Sequence, residues 1–179
     1  MSTVALFGSA RPEKDSVLYR ETVEASALLA ENGWTIATGG GPGLMEAANV
    51  GAKSVCGDEG VCSLGYSIYL PFEADTNDAV QVNTHHDDFF TRLKQFTDDC
   101  DAFIALPGGV GTHLEIMTVI QLLQVGHMVD KPLILVGLMW RKIMDYTAAH
   151  LLSNEFISDG DRDLWRYSRT PLEAARCLL

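Results

Sequence analysis

The chain has 179 residues, 47% of them hydrophobic, and its 13 basic and 24 acidic residues give a formal net charge of −11 at pH 7. A chain of this length can form one domain that buries about 70% of its unfolded surface, so neither a disulfide nor a metal is required for stability. The acidic balance argues against the basic surface that nucleic acids and anionic membranes select, and we expect no partner of either class.

Apolar runs alternate along the chain with segments whose apolar residues recur at helical spacing. Strands are predicted at residues 4–7, 34–38, 64–70, 80–82, 101–106 and 132–136. Helices are predicted at residues 15–32, 44–54 and 89–97, from residue 111 to near 125, and at 139–152. This alternation is typical of an α/β protein, and we predict a Rossmann-like three-layer sandwich with a mostly parallel sheet, a single domain over residues 1–179.

Three of the predicted strands end in a turn of small residues, at residues 8–9, 39–43 and 108–112. Because parallel strands end at the same edge of a sheet, we expect the three turns around one crevice, where open α/β sheets bind their ligands. Any one glycine could serve only to form its turn. Together, the three turns favour a ligand the size of a nucleotide.

The third turn, Pro-Gly-Gly-Val-Gly-Thr at residues 107–112, joins a buried apolar run to the start of a helix. Its glycines let backbone N–H groups approach a bound group, and the helix start adds unpaired donors and about half a positive charge. Such a site prefers a phosphate or a carboxylate. Glu115, one turn into the helix, would place its carboxylate beside whatever carries that anion.

Thr112 and Glu115 also have the spacing of a capping box, in which two side chains satisfy backbone donors at a helix start. Thr170 and Glu173 repeat that spacing around Pro171, and there we predict capping alone. The glycine turn directly before Thr112 favours a functional role for Glu115.

Two common nucleotide motifs do not fit the spacing of the glycines. A dinucleotide fingerprint needs Gly-x-Gly-x-x-Gly in the first strand-to-helix turn, but that turn has one glycine, and the Gly39-x-Gly41 run leads to Leu44. The loop of the P-loop NTPases ends in Gly-Lys-Ser/Thr, a sequence that does not occur here.

The sequence resembles one known family on two motifs. Residues 107–115, Pro-Gly-Gly-Val-Gly-Thr-His-Leu-Glu, match the PGGxGTxxE motif of the LOG family, the cytokinin-activating nucleoside 5′-monophosphate phosphoribohydrolases, long described as possible lysine decarboxylases. Residues 39–49, Gly-Gly-Gly-Pro-Gly-Leu-Met-Glu-Ala-Ala-Asn, are similar to its second signature, and residues 89–92 to the segment that carries its catalytic arginine. The resemblance covers about residues 4–146.

This resemblance implies hydrolysis of the N-glycosidic bond of a nucleoside 5′-monophosphate, such as AMP or a cytokinin riboside monophosphate, to free base and ribose 5-phosphate. Arg92 and Glu115 would be catalytic. A carboxylate can stabilise the oxocarbenium-like state or activate water, and an arginine offers a forked geometry that lysine cannot reproduce. The expected substrate-binding residues lie in the three turns and at the start of the helix after the second turn: Gly8, Ser9, Gly40, Gly41, Met45, Glu46, Gly108, Gly109, Gly111 and Thr112.

Simpler roles stay open for Arg92, as a solvated helix arginine, and for Glu46, as a first-turn glutamate that offsets the helix dipole. Leu93 replaces the lysine that often follows the family's arginine, and Glu46 and Asn49 depart from the plant-type form. A pyridoxal phosphate enzyme is not expected, because its Schiff base needs a buried lysine and all five lysines are predicted at the surface or in turns: Lys14, Lys53, Lys94, Lys131 and Lys142.

A non-catalytic alternative is a carrier of a nucleotide or of the molybdenum cofactor, because the molybdenum-cofactor carriers share this fold and glycine signature. The pair of Arg92 and Glu115 favours the hydrolase, since a carrier has no need of it.

Neither the cysteines nor the histidines have the spacing of a metal site. Cys56, Cys62, Cys100 and Cys177 lack zinc or redox spacing, and the chain lacks a signal peptide pattern or an apolar stretch of ~20 residues, so we predict a cytoplasmic protein with reduced thiols, no metal and no cofactor. The run at residues 85–88, His-His-Asp-Asp, is predicted to enter a helix with a capping aspartate. The acidic residues 72–78 are expected to form a loop or a lid.

The helix after the third turn carries a broad apolar surface, which more often belongs to the core but could also support self-association. It is wider than one sheet face requires, and the family resemblance also suggests a homodimer or a higher homo-oligomer. Its residues are Leu114, Met117, Ile120, Leu122, Leu123 and Val125.

Overall fold

A sheet of parallel strands runs through the middle of the computed structural model, which describes residues 2–69 and 76–179. Within these residues the strands are β1 Thr3–Phe7, β2 Thr35–Thr38, β3 Ser63–Ile68, β4 Val82–His86, β5 Ala102–Ala105, β6 Leu133–Val136 and β7 Arg166–Ser168. They form one sheet in the order β4-β3-β2-β1-β5-β6-β7, and every neighbouring pair is parallel.

Helices cover both faces of the sheet. They are α1 Val17–Glu31, α2 Leu44–Cys56, α3 Phe89–Asp99, α4 Val110–Gln124, α5 Leu138–Ser153 and α6 Pro171–Arg176, with a 3-10 turn at Asp159–Leu164. The central strand β1 shows why three layers form: Val4 and Leu6 pack with apolar residues of α1, α2 and α6, whereas Ala5 and Phe7 pack with those of α3, α4 and α5. The predicted three-layer α/β sandwich is confirmed.

The order of the strands reverses at β1, which has β2 on one side and β5 on the other. Backbone hydrogen bonds tie together the turns that follow these strands: the amide of Ser9 donates to the carbonyl of Pro107 at 3.1 Å, and the amide of Leu44 donates to the carbonyl of Ser9 at 2.9 Å. Gly43 lets the second turn come this close, since it has a φ of 67° and a Cβ there would lie 2.5 Å from the carbonyl carbon of Ala10. The three turns therefore border one crevice, as expected of a topological switch point.

A buried amide, Asn49 of α2, holds the second turn against the neighbouring strands. Its Oδ1 accepts from Thr38 Oγ1 at 2.7 Å, and its Nδ2 donates to Ser63 Oγ at 2.9 Å. Asn77 Nδ2 donates to the same Oδ1 and to the carbonyls of residues 40 and 41. Because buried polar groups are costly to leave unpaired, this network gives the turn a defined shape.

The predictions at the two edges of the sheet are partly wrong. β4 occupies residues 82–86 rather than 80–82, so His85 and His86 lie in an edge strand and do not begin a helix. The strand is largely exposed and polar, so it lacks the apolar alternation by which strands are predicted. The capping aspartate is confirmed, because Asp88 accepts hydrogen bonds from the amides of Phe90 and Thr91 at the start of α3. β7, with only three residues, was not predicted.

The loop from Cys56 to Cys62, which connects α2 to β3, is closed by a disulfide between these two residues, with a Cα–Cα distance of 6.2 Å. The expectation that these two cysteines are reduced thiols is therefore wrong, whereas Cys100 is buried as a free thiol in the core. Spacing alone could not identify the pair, because it does not report how close a helix end and the following strand come. The end of the predicted third strand at residue 70 and most of the acidic residues 72–78 lie outside the described residues.

Candidate active site

A cavity of about 300 Å³ opens at the carboxyl ends of β1, β2 and β3, beside the start of α4. This volume is at the lower end of the range of small-molecule sites. Its wall contains residues from all three glycine turns and from α3 and α4. They are Gly8, Ser9, Ala10, Arg11, Gly39, Met45, Ile68, Phe89, Arg92, Gly109, Gly111, Thr112 and Glu115.

Most of the residues predicted to form the site line this one cavity: Gly8, Ser9, Met45, Arg92, Gly109, Gly111, Thr112 and Glu115. Four other predicted residues are not part of its wall. The carbonyls of Gly40 and Gly41 accept from Asn77, and Glu46 Oε1 pairs with Lys14 Nζ at 2.7 Å. The roles of all these residues in substrate binding remain predictions.

Gly108, which also lies outside the wall, allows the third turn to pack closely against Thr112. A Cβ at this position would lie 2.2 Å from Thr112 Oγ1, so any other residue would push the turn away from the first turn of α4. Gly108 thus permits close packing of the turn against Thr112, not against a ligand.

Five residues of the wall were not among the predicted site residues: Ala10, Arg11, Gly39, Ile68 and Phe89. Signals for some of them were present. Arg11 follows the first turn directly, and Phe89 begins the segment that ends at Arg92. Ile68 ends a strand, and nothing in its local sequence distinguishes it from a core residue.

The start of α4 presents backbone donors to the cavity. The N-cap is Gly109, which has no side chain to cap the helix, and the first helical bond runs from the amide of His113 to the carbonyl of Gly109 at 3.0 Å. The amides of Val110, Gly111 and Thr112 precede that bond and therefore have no acceptor within the helix. Together with the helix dipole they favour a bound anion.

The alternative that Thr112 and Glu115 form a capping box is wrong. Thr112 lies inside α4 rather than at its N-cap, and it is buried. The second copy of the spacing does cap a helix: Thr170 Oγ1 accepts from the amide of Glu173 at 3.1 Å at the start of α6. The difference arises because Gly109 starts α4 three residues before Thr112.

Arg92 of α3 and Glu115 of α4 form a buried ion pair in the cavity wall. Nη2 and Oε1 lie 3.5 Å apart, and each side chain is 11% exposed, so Arg92 is not a solvated helix arginine. The guanidinium Cζ lies 5.3 Å from the centroid of the Phe89 ring, which supports it from the same helix. The buried Nε of Arg92 has no hydrogen-bond partner within the described part of the chain, which leaves an unsatisfied donor beside the ion pair.

Burial raises the pKa of Glu115 to about 7, and the guanidinium of Arg92 limits this rise. Desolvation disfavours the carboxylate, whereas the nearby positive charge favours it. The carboxyl group can therefore gain or lose a proton close to neutral pH, which suits a general acid or base. The site combines an anion-binding helix start, a buried guanidinium and a carboxyl group that titrates near neutrality.

The lysines of the described residues lie away from this cavity. No lysine contributes to its wall within the residues described, and Lys14 and Lys94 have side chains that are 73% exposed. Residues 2–69 and 76–179 contain no group of three or more His, Cys, Asp or Glu side chains that could hold a metal ion.

None of the helices given above is long and apolar enough to cross a membrane.

The apolar surface predicted on α4 is divided between the core and solvent. Ile120 is buried, and Leu122 and Leu123 pack against the core, so these three do not belong to an exposed surface. Leu114, Met117 and Val125 are 44%, 36% and 53% exposed.

A family model described as possible lysine decarboxylase matches residues 45–178. The chain is also 34% identical, over 110 residues, to a cytokinin riboside 5′-monophosphate phosphoribohydrolase of Mycobacterium tuberculosis. The matched region covers 62% of this chain and 57% of that protein.

Two solved structures have the same fold over almost the whole chain. The molybdenum cofactor binding protein of Rippkaea orientalis has a TM-score of 0.65 and 22% sequence identity, with coverage of 99% of this chain and 94% of that one. The molybdenum cofactor carrier protein of Chlamydomonas reinhardtii has a TM-score of 0.68 and 19% identity, with coverage of 99% and 95%. At these identities the likeness concerns the fold alone.

Proposed function

The chain belongs to the LOG family, described as possible lysine decarboxylase, and we propose that it hydrolyses the N-glycosidic bond of a nucleoside 5′-monophosphate to give a free base and ribose 5-phosphate. The observation that carries this proposal is the buried pair of Arg92 and Glu115 in one cavity with the anion-binding start of α4. The name of the related phosphoribohydrolase of M. tuberculosis supports the same reaction.

In this proposal the 5′-phosphate binds the first turn of α4. The amides of residues 110–112 supply donors, and Gly109 and Gly111 leave space for phosphate oxygens because they have no side chains. Anchoring the phosphate fixes the position of the ribose relative to α3 and α4, which lowers the entropic cost of reaching the transition state.

Arg92 and Glu115 then act on the ribose. Cleavage of the glycosidic bond develops positive charge on the sugar ring, which an ionised Glu115 stabilises, and the same carboxylate can orient or deprotonate the attacking water. Arg92 keeps part of the Glu115 population ionised, and its guanidinium in the cavity wall can bind a ribose or phosphate oxygen.

The competing function is that of a carrier that binds a nucleotide or the molybdenum cofactor without cleaving it. The experiment that separates the two is incubation of the purified protein with AMP, GMP, CMP and UMP, with chromatographic measurement of free base and ribose 5-phosphate. We expect release of both products in equal amounts from at least one monophosphate. Binding of a monophosphate without release of any base would overturn the hydrolase and favour the carrier.

The pH dependence of kcat/KM is expected to follow the ionisation of Glu115. Because burial raises the pKa of this carboxyl group to about 7, the carboxylate takes up a proton as the pH falls through that value. Activity should therefore be constant above about pH 8 and fall about tenfold per pH unit below about pH 6. The Kd of AMP over the same range is the control, since its phosphate also titrates near pH 6. A rate that is flat or rises towards acid would contradict the role of the ionised form.

We also propose that the protein forms a homodimer through exposed apolar residues beside the cavity. Val110 is 88% exposed and Leu114 44% exposed on α4, and Phe90 is 82% exposed on α3, an apolar patch of a kind that commonly marks an interface. Light scattering should give twice the chain mass of 19.5 kDa, and Leu114→Glu should give the monomer. Val61→Glu, at an exposed apolar residue of the disulfide loop, is the control. A monomeric wild type would refute the dimer.

A further inference from the structure

Trp140 of α5 contacts the anion-binding turn from inside the protein. Its side chain is almost completely buried, with 1% exposure, and it does not belong to the cavity wall. The indole Nε1 donates a hydrogen bond of 2.9 Å to the carbonyl oxygen of Leu106, the residue that connects β5 to the turn at residues 107–109. This bond fixes the entry to the turn from a different helix.

The same indole ring contacts the other side of the turn. It meets the ring of His113 edge-to-face, with the ring centroids 5.7 Å apart and an angle of 75° between the planes. The amide of His113 makes the first hydrogen bond of α4, to the carbonyl of Gly109. One rigid side chain therefore touches the last residue before the turn and the first turn of the helix after it.

We propose that Trp140 is a positioning residue for the anion site, which sets the relative position of β5 and the start of α4 and thereby directs the amides of residues 110–112 at the bound group. The proposal rests on the proposed function in that the group is the 5′-phosphate of the substrate. Glycine turns are conformationally permissive, so their geometry must come from neighbouring residues. A buried indole with a hydrogen bond and an aromatic contact supplies that constraint.

The variant Trp140→Phe tests the proposal, because it keeps an aromatic ring and removes only the indole N–H and part of the ring contact. Loss of the donor leaves a buried carbonyl without this partner, and we expect KM for AMP to rise about tenfold while kcat changes less than about threefold. The Kd of ribose 5-phosphate, measured by calorimetry, should rise by a similar factor. Trp34→Phe is the matched control, because Trp34 packs on the opposite face of the sheet, and it should leave both constants unchanged.

A purely structural role for Trp140 would lower the melting temperature of Trp140→Phe and leave KM and the Kd of ribose 5-phosphate at their wild-type values. That outcome would overturn the proposal. If wild type releases no base from AMP, the hydrolase fails, and the Kd of ribose 5-phosphate still tests the positioning role.

A measurement on the wild-type chain covers the case in which Trp140→Phe does not fold. The indole N–H resonance of Trp140 can be assigned by elimination with Trp34→Phe and Trp165→Phe. It should shift during titration with ribose 5-phosphate, in parallel with the amide of Gly111. An indole resonance that stays in place while the amide of Gly111 shifts to saturation would refute the proposal.

Discussion

Glu115→Gln is expected to slow the release of adenine from AMP by about 10³-fold, in the range seen for the loss of a general acid or base. The substitution replaces the carboxylate by a neutral amide of almost the same shape and volume, so it removes the charge and the general base and leaves the packing unchanged. The Kd of AMP should stay within about threefold of the wild-type value, because the phosphate is bound by the start of α4. Single-turnover rates and calorimetric binding constants measure the two effects separately.

The chain offers a matched control for this substitution. Glu173 occupies the same position relative to Thr170 that Glu115 occupies relative to Thr112, but it lies at the start of α6, outside the cavity wall. Glu173→Gln should leave the turnover rate unchanged. If Glu115→Gln retains the wild-type rate, Glu115 has no part in the chemistry.

Arg92→Met is expected to lower kcat/KM for AMP by about 10²-fold, in the range seen when one preorganised donor is removed from an active site. Two effects combine. The ligand loses the guanidinium of the cavity wall, and Glu115 loses the positive charge that keeps its pKa from rising further. The rise of kcat/KM with pH should therefore move to a pH above that of wild type, which a pH–rate profile of the variant measures.

Arg141 provides the control for Arg92, because it has the same kinds of neighbours at the surface. Its Nε lies 3.6 Å from Asp145 Oδ2, and its Cζ lies 5.8 Å from the centroid of the Tyr167 ring. Arg141→Met should leave kcat/KM and the pH profile unchanged. An unchanged profile for Arg92→Met would show that Arg92 does not govern the ionisation of Glu115.

The sequence predicted the centre of the fold well because the signals there are local. Strands β1, β5 and β6 are apolar runs buried on both faces. The glycine turns mark the ends of β1, β2 and β5. The edge strands were predicted poorly or missed, since the exposed polar residues of β4 and the three residues of β7 carry no periodic signal. The fold class therefore followed from local pattern, whereas the limits of the sheet did not.

The candidate site was predictable in its backbone parts and less so in its side chains. The anion-binding start of α4 could be inferred from the glycines and the helix that follows, because both are contiguous in the sequence. Arg92 and Glu115 lie on two helices that β5 separates in the sequence, and only the resemblance to a family suggested that these two residues are close together. The contact of Trp140 with Leu106 spans 34 residues and has no counterpart in local sequence, so only the structure reveals it.

A crystal structure of Glu115→Gln with bound AMP tests the central claim most directly, because the variant should bind the nucleotide without cleaving it. We predict phosphate oxygens within about 2.7–3.2 Å of the amides of Gly111 and Thr112, with the ribose between Arg92 and the side chain at position 115. A nucleotide bound outside this cavity, or a phosphate far from the start of α4, would contradict the proposed function.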